Sequence, residues 1–287
     1  MRRRAPISPR LSHMRILTPH EIGLFRRRVY RHYIRHGRDL PWRRTGDPYH
    51  ILVSEIMLQQ TQVDRVIPKY THFLRVFPTL TALAEAPAAQ VLAAWQGLGY
   101  NRRALMLKQS AQEICRSYGG EVPRSPDILR TLPGIGPATA ASIAAFAFNA
   151  PTVFIETNIR AVFIHHFFSS AARVSDRRLE PLVRQTLDIR TPARWYNALM
   201  DYGAMLKKKH GNPACRSAQY VRQSRFEGSD RQVRGRIVRM LVEKKRMKKR
   251  ELRRALNIES GRIHRIISDL IREGFITDTG AAYRIAS

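Results

Sequence analysis

The run Leu132-Pro133-Gly134-Ile135-Gly136-Pro137-Ala138-Thr139-Ala140 carries the reading of this chain. It lies between two helical patterns, one over Asp127–Thr131 and one over Ala138–Phe148. Two glycines permit backbone angles that other residues avoid and let a ligand approach the main chain closely. A helix begins directly after them, so its first N–H groups lack partners and its positive dipole end faces outward. A turn of this kind can hold a phosphate without any charged side chain. An ordinary tight turn between helices has the same composition, and the Gly-x-Gly pattern alone does not choose between the two.

Outward from that turn the chain reads as helix. Towards the N-terminus, Ile22, Phe25, Val29 and Tyr33 recur at three-to-four spacing from Pro19, which marks one buried face. Asp47-Pro48 opens a second helix carrying Ile51, Leu52 and Ile56, since proline suits the first helical turn. Helical patterns follow over Gln62–Val76, Thr79–Ala86, Ala88–Gly97 and Asn101–Ser117. Beyond the turn they run over Asn158–Phe168, Asp176–Leu187 and Pro192–Leu206, and no strand is expected before residue 220. Arg216–Asp230 is polar and reads as a linker. After it come an amphipathic helix with Val233, Ile237, Met240 and Leu241, a short one over Lys249–Leu256, and a third over Ser260–Glu273. Phe275-Ile276-Thr277, the turn Asp278-Thr279-Gly280 and Ala282–Ala286 then read as a hairpin. Three helices and a hairpin are the pattern of a winged helix; a solvated basic helix pair at a domain edge is the plainer alternative.

The charge narrows the partner. Lys and Arg total 51 against 22 acidic residues, a formal net charge of +29 over 287 residues. Self-repulsion of this size opposes compaction unless an anion relieves it. A polyphosphate relieves it, because each neutralised phosphate releases a counterion. Charge alone does not separate an enzyme on nucleic acid from a ribosomal or chromatin protein. An apolar content of 44% argues against global disorder. Two cysteines, Cys115 and Cys215, indicate no disulfide framework and suit a reducing, cytoplasmic setting. No apolar run reaches the ~18 residues of a membrane helix. The Arg-rich opening is not a secretory signal; a disordered basic tail over residues 1–18 is expected, with a mitochondrial presequence or a start at Met14 as alternatives.

Leu-Pro-Gly-Ile-Gly-Pro between helices resembles the hairpin of the helix-hairpin-helix DNA glycosylases. Other blocks sharpen the likeness to one branch, the adenine-specific mismatch glycosylases of the MutY type: Leu40-Pro41-Trp42-Arg43, Asp47-Pro48-Tyr49, Ser54-Glu55-Ile56-Met57-Leu58-Gln59-Gln60-Thr61, Trp95-Gln96-Gly97-Leu98-Gly99-Tyr100 and Asp201-Tyr202-Gly203-Ala204-Met205. The likeness runs from about residue 21 to 206. It implies an all-α, two-lobed fold over 19–226: a six-helix lobe over 46–150 with the hairpin at 132–138, and a second lobe from 19–45 plus 151–226. A winged-helix-like domain over 227–287 follows. The partner implied is double-stranded DNA with a mismatched or damaged base, met by a monomer.

Removing a base requires protonation of the leaving group and stabilisation of the sugar cation. A carboxyl in an apolar setting supplies the first and a second carboxylate the other. Glu55 lies in an otherwise apolar and amide stretch, where an acid is costly unless paired or functional; the resemblance makes it the general acid. At the second position the resemblance expects Asp, and this chain has Glu156, followed by Asn158. One extra methylene shifts a carboxylate by about 1.5 Å, and misplacement of that order can cost ~100-fold in rate. Glu156 also opens a helix, a structural role of its own. Relatives that nick DNA, such as endonuclease III, carry lysine at the place of Ala138, so a monofunctional enzyme is expected here.

DNA contacts are expected from Arg43, Gln60 as a wedge in the duplex, Tyr100, Arg102, and Leu132, Gly134, Ile135, Gly136 and Ala138 of the hairpin. Arg103 and Lys108 either meet phosphates or face water. The resemblance further implies a K+ or Na+ ion on the carbonyls of Arg130, Leu132 and Ile135. Relatives hold an iron–sulfur cluster on four cysteines after the Asp-x-Gly-Ala block. Only Cys215 stands there now, and one thiolate cannot hold such a cluster. The leading expectation is excision of adenine opposite guanine or 8-oxoguanine. A glycosylase for mismatched thymine or uracil, or another damaged base, and a non-catalytic DNA-binding protein are the alternatives.

Overall fold

The computed structural model describes residues 15–223 and 225–286. In chain order the elements are α1 (Pro19–His36), α2 (Pro48–Leu58), α3 (Val63–Val76), α4 (Leu80–Glu85), α5 (Ala88–Trp95), α6 (Arg102–Ser117), α7 (Pro126–Leu129), α8 (Pro137–Phe148), α9 (Thr157–Phe167), α10 (Asp176–Thr186), α11 (Pro192–His210), α12 (Asp230–Lys244), β1 (Arg246–Lys248), α13 (Lys249–Leu256), α14 (Ser260–Arg272), β2 (Ile276–Asp278) and β3 (Ala282–Ile285). The fold is mostly helical, as expected. Its division is into two compact units, Met1–Arg38 with Val153–Val221, and Asp39–Thr152 with Arg222–Ser287.

The first unit is built from α1 and α9–α11. Thr18 and Glu21 close a capping box at the start of α1, which satisfies two orphan N–H groups reciprocally. Residues 15–18 are held in place: Leu17 is buried and its N–H donates to Gln185 Oε1 at 2.8 Å. The rest of the expected tail, residues 1–14, lies outside the described residues. Phe25 of α1 packs edge-on against Trp195 of α11, with ring centres 6.0 Å apart, and Val29, Phe163, Tyr196 and Leu199 complete this core. Asp201, buried on α11, accepts from Arg38 N (2.8 Å) and Arg38 Nε (2.7 Å), so the motif aspartate pins the chain after α1.

The second unit joins α2–α8 to the C-terminal elements through one continuous core. Leu52, Met57, Phe73, Phe77, Trp95, Leu107 and Ile143 belong to it, and so do Val233, Ile237, Leu241 and Phe275. The three strands form an antiparallel sheet in the order β1-β3-β2, with Met247 opposite Tyr283 and Thr277 opposite Arg284. β1 is an addition to the expected hairpin. α11 also runs four residues past the expected stop at Leu206, through Lys207–His210. Lysines and histidine in a last turn face the negative end of the helix dipole, which favours the extension.

Candidate active site and DNA-binding surface

Glu55 owes its position to the cap of its own helix. The Asp47 side chain accepts from Tyr49 N at 2.8 Å and His50 N at 3.4 Å, and Pro48 takes the first helical position. Around Glu55, the residues Ile51 to Ser54, Ile56 and Met57 are buried, while Glu55 itself is half-buried. The Ser142 hydroxyl of α8 donates to Glu55 Oε2. The carboxyl therefore lies against the helix that the two-glycine turn opens.

That turn has the expected architecture. Gly136 is the N-cap of α8 and Pro137 its first residue. Gly134 has φ +78°, and a Cβ there would sit 2.9 Å from Met106 Cβ, so both its conformation and its surroundings select glycine. Leu132 and Ile135 are buried and anchor the turn, and Ile135 N donates to Leu132 O at 3.2 Å. Ser110 Oγ donates to Pro133 O at 2.7 Å, and Gln59 Nε2 reaches both Gly134 O (3.3 Å) and Thr139 Oγ1 (3.2 Å). Gly136, Pro137 and Ala138 are exposed at the helix start. An exposed, rigid helix N-terminus is the arrangement that receives a phosphate.

Gln60, Tyr100 and Arg102 line one cavity of about 510 Å³ together with Phe226, Arg231 and Phe275. Gln60 (φ +54°) and Tyr100 (φ +48°) both adopt the left-handed region without being glycine. Such angles persist only where the surroundings enforce them, and they concentrate at functional sites. The Tyr100 hydroxyl lies against Gln223 and Arg231. Arg102 is exposed. Arg103 is half-buried and turned onto the main chain. Its guanidinium donates to the carbonyls of Ile56 (2.8 Å), Met57 (2.9 Å), Gln59 and Gly99 (3.1 Å) and to Thr61 Oγ1 (3.0 Å), between the rings of Trp95 and Tyr100. Burial pushes its pKa down to about 10. Lys108 likewise turns inward, to Ala84 O at 3.1 Å. Arg43 is half-buried on the 3-10 turn Pro41–Arg43.

In the first unit, Glu156 is the N-cap of α9. Its carboxylate accepts from Asn158 N (3.3 Å) and Asn158 Nδ2 (3.1 Å). Burial pushes the Glu156 pKa up, against the Asn158 bonds and the charges of Lys207 and Arg160, which lower it. Asn158 Oδ1 is buried without a hydrogen-bond partner. Gly203 explains the small residue of its motif: a Cβ there would lie 2.4 Å from the Asn158 carbonyl oxygen.

The structure thus brings Glu55 to the hairpin helix, gathers Gln60, Tyr100 and Arg102 in one cavity, and joins Glu156 to Asn158. Sequence reading missed Ser142, whose signal was faint: Thr139 and Ser142 are the hydroxyls of an otherwise apolar α8, three residues apart. It also missed the inward use of Arg103. Cys215 is exposed on the 3-10 turn Pro213–Arg216. Among the described residues no group of three or more His, Cys, Asp or Glu is placed to hold a metal. The cation implied at the hairpin meets a compatible donor set. The Leu132 carbonyl accepts only Ile135 N–H, and no main-chain donor among the described residues reaches the Arg130 and Ile135 carbonyls. Neutral, hard oxygens of this kind suit a hard cation.

Comparison with known proteins follows the same lines. Residues 53–185 match the family of HhH-GPD superfamily base excision DNA repair proteins, and residues 230–277 match a winged helix-turn-helix DNA-binding family. The chain is 40% identical over 222 residues to an adenine DNA glycosylase of Mycolicibacterium smegmatis, covering 71% of this chain and 75% of that one. It is 39% identical over 230 residues to an adenine DNA glycosylase of Mycobacterium tuberculosis, covering 73% and 75%. A solved thermostable thymine-DNA glycosylase superposes with a TM-score of 0.61 at 26% identity, over 67% of this chain and 90% of that one. With its hairpin, its carboxylates and these relatives taken together, the chain belongs to the HhH-GPD superfamily of base excision DNA repair proteins, in the branch of the adenine DNA glycosylases.

Proposed function

We propose that this protein is a monofunctional DNA glycosylase that hydrolyses the N-glycosidic bond of adenine mispaired with guanine or 8-oxoguanine. One observation carries the reading: a half-buried Glu55, bonded to Ser142 on the helix opened by the two-glycine turn. Extrusion of a nucleotide costs a few kcal/mol. The hairpin amides of α8 offset part of it by gripping backbone phosphate, with Gln60 as the wedge and Tyr100, Arg102 and Arg43 as further DNA contacts. Glu55 then protonates the leaving base. Glu156, oriented by Asn158, stabilises the cationic sugar, and water completes the hydrolysis. Ala138 has no amine for a Schiff base, so the product is an abasic site in an intact strand.

Arg130, Leu132 and Ile135 would hold a monovalent cation through their carbonyls, adding positive charge beneath the gripped phosphate. No iron–sulfur cluster enters this reading, since the chain has two cysteines where such a cluster needs four ligands. The protein acts as a monomer on duplex DNA in the cytoplasm.

The likeness to a thymine-DNA glycosylase favours one second reading, removal of mismatched thymine. A panel of labelled duplexes, each with one mismatch or lesion and developed with hot alkali, separates the two. Cleavage at adenine opposite guanine or 8-oxoguanine is expected. Cleavage at thymine alone supports the second reading. Binding without cleavage, unchanged in Glu55→Gln, leaves a DNA-binding protein only. Nicking without alkali contradicts the role given to Ala138.

A further inference from the structure

The basic run Lys207-Lys208-Lys209-His210 closes α11. Lys208, Lys209 and His210 are exposed, and Lys207 alone is half-buried. Lys207 stands on one stripe of α11 with Met200 and Gly203, at spacings that share a helix face. Both other members of the stripe meet Asn158. Met200 Sδ lies 3.9 Å from Asn158 Nδ2, and a Cβ on Gly203 would press on the Asn158 carbonyl. The absence of a side chain at Gly203 brings the backbones of α11 and of the first turn of α9 together. One turn further along the same stripe stands Lys207, whose charge acts on Glu156, the cap of that first turn.

We propose that Lys207 is a positioning residue for Glu156, holding it as a carboxylate through the charge of its ammonium. The catalytic consequence rests on the function proposed above; the electrostatic one does not. The charges around the pair leave Lys207 this role. From α9, Arg160 faces Glu156, but it is bound to Asp176 at 2.6 and 2.7 Å. From the segment after α1, Arg38 faces Lys207 and is bound to Asp201. Lys207 has no carboxylate partner of its own within ion-pair distance among the described residues. Burial lowers its pKa and raises that of Glu156, while each charge opposes the shift of the other. A longer acid at the cap and a lysine on the facing stripe therefore act as a matched pair, with the charge acting through space rather than through a hydrogen bond.

The sign follows directly. Removing the positive charge raises the pKa of Glu156. Fewer molecules then carry the anion needed by the sugar cation, and the acid limb of the rate profile moves to higher pH. The test uses full-length protein with carbon-13 in the glutamate carboxyls, with the Glu156 resonance assigned by its loss in Glu156→Gln. Glu156 is expected to titrate at higher pH in Lys207→Met and Lys207→Gln than in the wild type, and at nearly the wild-type pH in Lys207→Arg. Single-turnover excision should show the same order: a several-fold loss on the acid side for the neutral variants, little change above the limb, and recovery in Lys207→Arg. Identical titration of Glu156 in the wild type and both neutral variants would overturn the proposal. If the wild type excises nothing from any duplex, the function reading fails, and the titration still decides the role of Lys207.

Discussion

At the scale of single residues, the acid chemistry proposed above turns on Glu55 and the Ser142 hydroxyl that donates to it. Glu55→Gln keeps the volume and the helix but cannot supply the proton. It is expected to lower single-turnover excision by at least about 100-fold, the ordinary worth of a general acid, while duplex affinity in a gel-shift titration changes little. Ser142→Ala should give a smaller loss of rate at unchanged affinity; equal rates in Ser142→Ala and wild type would mean that this bond is incidental. Glu55 stood out as an acid in an apolar run, but it was the family resemblance, and not the run itself, that singled it out as the expected acid. Ser142 did not stand out, because its partner lies 87 positions away and nothing local announces it. A second residue-scale expectation concerns stability. Burial first, then the charges of His165 and Arg28, push the pKa of His166 down to about 4, beside the Tyr202 hydroxyl at 3.0 Å. In the unfolded chain a histidine takes its proton near pH 6.5. Folded His166 stays neutral until far lower pH, so stability is complete above about 6.5 and falls progressively towards about 4. Urea midpoints at pH 7 and pH 5 should differ less in His166→Gln than in the wild type.

At the scale of elements, the helices that carry the site were readable from caps and apolar spacing. Asp47-Pro48 marked the start of α2 and Gly136-Pro137 that of α8, and both stand there. What escaped had no periodicity to read. β1 spans three residues, two of them exposed cations around the buried Met247, and exists through its pairing with β3. The fastening of α2 was equally hidden. One guanidinium, Arg103, satisfies the carbonyls that the end of α2 and the Gly99 loop leave open. Arginine in the first turn of α6 reads as a surface residue until its partners are seen. Arg103→Met strips several buried acceptors at once and is expected to cost about 3 kcal/mol of stability, measured by urea unfolding. It should also weaken duplex binding, because Gln60 and Tyr100 sit on the segments that Arg103 ties together. Full retention of both properties would show that water replaces the guanidinium.

At the scale of the whole molecule, the excess of cations is unevenly committed. Arg262 and Arg265 of α14 share Asp230, at 2.7 and 3.3 Å. Lys245, Arg246, Lys248, Arg250, Arg253 and Arg254, over β1 and α13, are exposed and make no ion pair among the described residues. Free cations release more counterions on meeting phosphate than neutralised ones do. Lys248→Ala with Arg250→Ala and Arg254→Ala should therefore flatten the dependence of duplex affinity on salt by up to about three ion equivalents. Arg262→Ala with Arg265→Ala should flatten it less, and the reverse ranking would place DNA on α14 instead. The unbroken core of the second unit has a final consequence. Val233, Ile237, Leu241 and Phe275 are walls of the same interior as Trp95 and Leu107. A shortened version of the protein that stops before α12 would leave that interior open to water, oily side outward. It would be prone to clump in the test tube rather than persist as a smaller repair enzyme. The last sixty or so amino acids thus behave as masonry for the unit they close.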